Sequence, residues 1–193
     1  MVTLNRRVNM KELKEFTIPF IGLKLGEHLF DYQIDNTFFE HFEFEDFNKA
    51  NILVEVELNK KTTILEFALS IKGHVNVNCD ITNEPYDQKI KGGYQFIVKF
   101  GETFNDDNEE LLILPHGSHE VNIQQYIYET IVLNVPIRKT HPGIEDGTLK
   151  SDIIQKLEEL SPKETKDNLS SKSETTDPRW DQLKKLLTDK KIQ

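Results

Sequence analysis

The densest group of chemically versatile side chains is the stretch 116–120, His-Gly-Ser-His-Glu. Histidine and glutamate are residue types that bind zinc or transfer protons. Their order, however, is neither His-Glu-x-x-His nor its inverted form, which place metal ligands one helical turn apart. Pro115 precedes the stretch and Gly117 interrupts it, and both residues favour a loop. We therefore interpret the stretch as a polar loop that caps the next helix.

A second candidate for chemistry is Cys79, the only cysteine, with His74 five residues before it. A thiol beside a histidine is the minimum for nucleophilic catalysis. On a strand, however, positions 74 and 79 are an odd number apart and point to opposite faces. Cys79 is instead expected to be a buried small hydrophobic residue. Since Gly92 and Gly93 also lack the spacing of a phosphate-binding loop, the sequence predicts no catalytic residue, cofactor, bound metal or small-molecule substrate.

Composition limits the class of protein and its partners. The chain has 193 residues and a net charge of −9, so nucleic acid would have to be contacted through local basic patches or through a partner. No apolar run approaches the roughly 20 residues of a membrane span, and the first residues lack a secretory signal. With a single cysteine, these features predict a cytoplasmic protein without membrane contact.

The candidate residues sit on a predicted strand and turn at the centre of the chain. Val75, Val77 and Cys79 alternate with polar residues, and turn-forming residues follow over 80–85 before a strand resumes at Tyr86. Long alternating segments lie on either side, over 51–58, 63–72 and 89–100. Successive strands with short connections predict an α+β fold, with an antiparallel sheet or partly open barrel.

The sequence predicts the secondary structure of the first fifty residues less definitely. Residues 15–19 are a predicted first strand, and 21–35 suggest a strand or hairpin around Gly26. Asn36 is placed to cap a short helix over 37–42. The phenylalanine-rich run 38–47 alternatively forms a mobile aromatic cover, and the sequence does not decide between them.

One helix is expected to pack across the sheet. Residues 101–110 are predicted to be an acidic loop, and 111–114 a short strand. Asn122 is a good N-cap, the apolar residues that follow recur at helical spacing, and Pro136 ends the pattern. Tyr126 and Tyr128 are expected to serve in packing.

The C-terminal part predicts a linker and a second ordered segment. We divide the chain into an α+β body over 1–145, a polar linker with a short helix over 146–176, and a C-terminal docking helix over 177–193. Asp177 and Pro178 are good residues for the start of that helix. Its apolar face includes Trp180 and Leu183, which we expect to anchor it on a partner.

Three blocks of the sequence resemble the YceD family of large ribosomal RNA subunit accumulation proteins, in the form found in Bacteroidetes. The first is the strand and turn with Cys79 and Pro85, where the family has Cys-x-Arg-Cys-Leu-x-Pro. The others are residues 121–142 and the closing Asp-Pro-Arg-Trp at 177–180. Ile81 and Thr82 replace the family's arginine and second cysteine, so a zinc site at this turn would lack its usual thiolates.

The resemblance implies a bacterial ribosome-biogenesis factor that promotes accumulation or maturation of the large-subunit (23S) ribosomal RNA, without a known catalytic activity. The partner is then a precursor of that RNA or a ribosomal protein. An alternative hypothesis is an adaptor or chaperone for a basic ribosomal protein, which never meets RNA and which the acidic composition favours. The candidate contact residues are Arg6, Arg7, Lys11, Lys14, Arg179, Trp180, Leu183, Lys184 and Lys185.

Overall fold

The structure is a computed structural model that describes residues 13–149 and 152–161. The chain divides into two compact units, Met1–Ile154 and Gln155–Gln193. The first unit contains every strand described below, whereas the described part of the second is the end of one helix.

Six strands of the first unit form one open sheet. They are β2 (Gly26–Ile34), β3 (Lys49–Lys60), β4 (Ile64–Asn78), β5 (Pro85–Gly101), β6 (Asn105–Asn108) and β7 (Leu111–Pro115), after β1 (Thr17–Ile18). Their order is β2-β3-β4-β5-β7-β6, and every neighbouring pair is antiparallel except β5 and β7. The predicted α+β class with a mostly antiparallel sheet is thus confirmed, and the sheet does not close into a barrel.

The helices are α1 (Asn36–His41), α2 (Gln124–Leu133), α3 (Pro142–Glu145) and α4 (Asp152–Leu160), besides a 3-10 turn over Lys14–Phe16. The side chain of Asp35, rather than that of Asn36, caps α1 by accepting the N–H of Thr37 at 2.9 Å. Asn122 accepts the N–H of Gln124 at 3.0 Å, so it supports the start of α2 as the sequence predicted. The helix α4 forms inside the segment 146–176, where the sequence suggested a short helix.

The core lies between one face of the sheet and the helices α1 and α2. Alternate residues of β3, from Ile52 to Leu58, are fully buried on this face, as their spacing predicted. Ile127 and Ile131 of α2 are buried as well. The phenylalanine-rich run is packed rather than mobile, because the rings of Phe42 and Tyr128 stack with centroids 4.2 Å apart.

A second, two-stranded sheet joins the start of the body to the start of α2. In it β1 pairs with β8 (Val121–Asn122), so that Ile18 lies opposite Val121. The N–H of Ile123 also donates to the carbonyl of Phe16 at 3.0 Å, and the Asn122 amide donates to the carbonyl of Leu13 at 3.2 Å. These bonds connect segments more than one hundred residues apart.

Of the two alternatives that residues 21–35 left open, the structure has the strand, because β2 is a single strand that starts at Gly26. Two other details differ from the sequence-based expectations. The acidic segment 101–110 contains β6, because the side chains of Asn105 and Asn108 accept backbone N–H groups two residues ahead and fold a tight hairpin. That hairpin places the returning strand β7 beside β5, in the same direction.

Candidate nucleic-acid interface

The outward face of the sheet, opposite the core, is where the chain gathers exposed charge. Side chains on β2 to β5 alternate between buried and exposed, so every second cross-strand row points outward. Three large apolar residues are exposed on this face, Leu29, Leu53 and Ile97, with 75%, 40% and 37% of their surface accessible. The side chains of this face therefore reach solvent.

Four basic side chains occupy two adjacent outward rows, and we call them the basic block. In the β4–β5 register Lys72 lies opposite Lys91, and His74 lies opposite Lys89. All four residues are exposed. Opposite residues of an antiparallel pair have Cβ atoms about 5 Å apart, so the four side chains form one compact group.

The basic block is not neutralised by its surroundings. Within residues 13–149 and 152–161, none of its four side chains forms an ion pair. Like charges directly opposite each other destabilise a sheet by roughly 0.2–1 kcal/mol. The pair of Lys72 and Lys91 therefore costs stability in the free protein, and a bound anion would offset that cost.

Side-chain amides border the basic block on its far side. Asn48 donates to Asn78 at 2.8 Å and to Asn76 at 3.1 Å, and Asn76 donates to Asp87 at 2.7 Å. Asp87 lies only two residues from Lys89 on the same strand, but in this network its carboxylate accepts a hydrogen bond from the amide of Asn76. Fixed amides also offer donors and acceptors to the edges of unpaired bases.

The other end of the same face is acidic. The three outward rows next to the basic block carry carboxylates and no basic residue. These acidic rows contain Glu27, Asp31, Glu55, Glu57 and Glu66, of which Glu66 forms an ion pair with Lys61. The face is thus electrically divided, and a polyanion is attracted to one end and repelled from the other.

The residue types of the basic block suit an RNA backbone. Lysine contacts phosphate as a point charge, and a histidine ring can stack on an unpaired base. No phenylalanine, tyrosine or tryptophan projects from the outward rows of β2 to β5. The block therefore favours contacts to phosphate, with His74 as its one stacking side chain.

Of the predicted contact residues, the structure describes only Lys14, which does not lie on this face. Lys14 is exposed in the 3-10 turn, whose Phe16 packs against Tyr32 and Phe38 on the core side. The remaining predicted contacts lie outside the described residues. They are Arg6, Arg7, Lys11, Arg179, Trp180, Leu183, Lys184 and Lys185, together with the helix-start residues Asp177 and Pro178.

Cys79 and Pro85 belong to the turn that fixes the register of the block. Pro85 opens β5, and Cys79 is 2% exposed. Burial raises the pKa of the Cys79 thiol, but hydrogen bonds from Thr82, and from the backbone of His141 and Ile81, outweigh burial and lower it overall. The sulfur accepts the N–H of His141 at 3.3 Å, which ties the turn to the chain beyond α2.

Neither of the sequence-level candidates for chemistry forms a cluster here. His74 is exposed on the outward face and Cys79 is buried. In the described ranges, no group of three or more histidine, cysteine, aspartate or glutamate side chains is arranged to hold a metal ion. Nor does this part of the chain contain a helix that is long and apolar enough to cross a membrane.

The basic block had a signal in the sequence that was overlooked. Lys72 and His74 are two residues apart, and so are Lys89 and Lys91, which places each pair on one face of its strand. That the two pairs stand opposite each other depends on the register set by the turn at 80–84. Side-chain spacing alone does not give that register.

Comparison with known proteins relates the chain to one family. A family model described as large ribosomal RNA subunit accumulation protein YceD matches residues 67–187. The match covers well over half of the chain and includes the basic block and the turn at Cys79. Searches of curated proteins and of solved structures gave no significant match.

Proposed function

Because the chain belongs to the family of large ribosomal RNA subunit accumulation proteins, YceD, we propose that it is a non-catalytic factor of ribosome biogenesis. In this proposal it promotes accumulation or maturation of the large-subunit (23S) ribosomal RNA by holding a precursor of that RNA. The observation that carries the proposal is the basic block, an exposed group of unpaired positive charge within the region that matches the family.

The proposed contact uses the division of the outward face. Lys72, Lys89 and Lys91 bind phosphates of a single-stranded or looped segment, and His74 stacks on one unpaired base. The acidic rows repel the same RNA. Bound RNA is therefore expected to cross the end of the sheet at the basic block instead of running along the strands.

The positions of the histidines in the loop before β8 fit a protein that holds RNA without catalysing a reaction. His116 and His119 are exposed in the loop between β7 and β8, and the nearest carboxylate contact of His119 is Glu120 at 3.9 Å. A general base needs an oriented partner within hydrogen-bond distance. These residues support a structural loop better than an active site.

The acidic rows favour the second candidate function, that of an adaptor or chaperone for a basic ribosomal protein. A surface rich in aspartate and glutamate complements the lysine and arginine of such a protein and speeds encounter with it. The two functions are compatible, because opposite ends of one face would then serve RNA and protein.

Depletion with complementation tests the proposal. A depletion strain should show a lower ratio of large-subunit to small-subunit ribosomal RNA, which the wild-type protein restores. The variant Lys72→Gln/Lys91→Gln should fail to restore this ratio. The control Lys99→Gln changes a lysine that lies on β5, as Lys91 does, but outside the block, and it should restore the ratio. An unchanged ratio on depletion would refute the proposed process, and full rescue by the double variant would refute the role of the block.

A further inference from the structure

A surface cavity of about 250 Å³ lies on the helical side of the sheet, between α2 and β5. Its lining includes Tyr94 of β5, Tyr126, Glu129 and Leu133 of α2, and Glu109 from the turn between β6 and β7. Cavities that hold whole cofactors or drug-sized ligands measure about 300–1,000 Å³. This cavity is therefore sized for a single side chain.

Aromatic rings form one wall of the cavity. Tyr126 stacks on Phe96 with ring centroids 4.0 Å apart, and its ring lies nearly parallel to that of Tyr94 at 6.1 Å. The hydroxyl of Tyr94 donates a hydrogen bond to the carbonyl of Glu109, which fixes this ring against the β6–β7 turn. Ordered aromatic faces attract cations through the negative charge of their π-systems.

The rim of the cavity is negative. Among the residues that the structure describes, Glu109 and Glu129 line it and no lysine or arginine does. Burial raises the pKa of the Tyr94 hydroxyl, and the carboxylates of Glu129, Glu109 and Glu110 raise it further, so a negative potential acts at that ring. Gln125 donates to Glu129 at 2.5 Å and orients its carboxylate.

The strand beside the cavity has an unused edge. Strand β7 pairs with β5 only from Ile97 onward, so among the described strands the stretch Pro85–Phe96 has β4 as its single neighbour. Gly93 brings this edge to the cavity. An unpaired edge is a template for an added extended segment. Leu133, 81% exposed, adds an apolar surface next to it.

We propose that this cavity binds the side chain of an arginine or lysine carried by an extended segment of a partner protein that lies along the free edge of β5. The aromatic wall and the two carboxylates select a cation, and Leu133 contacts an apolar neighbour of that residue. The inference goes beyond the proposed RNA contact and does not depend on it, because the basic block lies on the opposite face of the sheet.

The test is an NMR titration of the full chain with the peptide Ac-Thr-Val-Arg-Val-Thr-NH2. The matched peptide carries citrulline, which keeps the shape of arginine but not its charge. The arginine peptide should shift the amide signals of Gly93, Tyr94, Thr130 and Leu133, and the citrulline peptide should bind about tenfold more weakly. Glu129→Gln should weaken binding of the arginine peptide about fivefold, and Glu102→Gln, at an exposed site away from the cavity, should not.

Several outcomes would overturn the inference. Equal binding of the two peptides would exclude selection of the charge, and so would an unchanged affinity in Glu129→Gln. No shift at these residues up to about 5 mM peptide, a range that reveals millimolar dissociation constants, would exclude the site. A uridine oligonucleotide that shifts the same signals would assign the cavity to RNA instead. The variant Lys72→Gln/Lys91→Gln should bind the arginine peptide as tightly as the wild type does. A failure of the proposed RNA contact can therefore be told apart from a failure of this peptide site.

Discussion

Neutralising the basic block should weaken RNA binding while it makes the fold more stable. The double variant Lys72→Gln/Lys91→Gln removes two positive charges that lie opposite each other on β4 and β5. Their repulsion costs roughly 0.2–1 kcal/mol in the free protein. Its removal should raise the melting temperature of a body of this size by about 1–3 °C.

The loss of affinity follows from counterion release. Each phosphate contact with single-stranded RNA contributes a slope of about −0.7 to the dependence of log K on log salt. At 0.1 M salt one contact is therefore worth roughly fivefold and two contacts roughly 25-fold. The double variant should bind about 25-fold more weakly, and its salt slope should be smaller by about 1.4.

Fluorescence anisotropy with a labelled uridine oligonucleotide at several salt concentrations measures both quantities, and thermal melting measures the stability. Lys99→Gln changes an exposed lysine of β5 that lies outside the block, and it should lower the affinity for RNA less than twofold. Equal losses in Lys99→Gln and the double variant would mean that net charge, not the block, sets the affinity. A double variant that binds RNA as tightly as the wild type would refute the assignment outright.

Three further predictions concern the fold that holds the block. In Gly73→Ala the new Cβ would overlap the backbone of Asn51 on β3. This overlap should lower the free energy of unfolding, measured by denaturant titration, by about 1–3 kcal/mol. In the control Gly22→Ala the new Cβ meets no atom within 4 Å, so the free energy of unfolding should not change. Hydrogen bonds lower the pKa of Asp35 in the folded protein below 3.8. The helix cap that its carboxylate forms therefore stabilises the fold fully above that pH, and this stabilisation is lost as the pH falls through the pKa of the folded state. Asp35→Ala should be less stable than the wild type at pH 7 but should lose less stability on acidification. Cys79→Ser should fold with a loss of roughly 1–2 kcal/mol and without bound metal, and stoichiometric zinc in the purified wild-type protein that this substitution abolishes would contradict the prediction.

Local pattern was sufficient for much of the fold. The strict alternation from Ile52 to Leu58 identified β3 and its buried face, because a half-buried strand has a period of two. The helical spacing after Asn122 identified α2. Both signals are carried by residues that are neighbours in the sequence, so no knowledge of the tertiary fold was needed.

The remaining features depend on contacts between distant segments. The parallel pairing of β7 with β5 results from the way the β6–β7 hairpin folds back, and nothing in residues 111–114 specifies a direction. The basic block likewise joins two strands through a register that the turn after Cys79 sets. The sequence-based candidates were chosen instead by local charge in the two terminal segments, of which the structure describes only Lys14.

The pairing of β1 with β8 has a consequence for the synthesis of the protein. Strands β3 to β5 each pair with the strand made just before, so β2 to β5 can assemble as the chain emerges. Thr17 has to wait for Asn122, and at about 5–20 residues per second its partner strand follows roughly 5–20 s later. During that interval Phe16, Ile18 and Phe20, which are buried in the finished body, have no completed core to enter. A nascent chain released before residue 122 keeps these three apolar side chains available to chaperones and proteases.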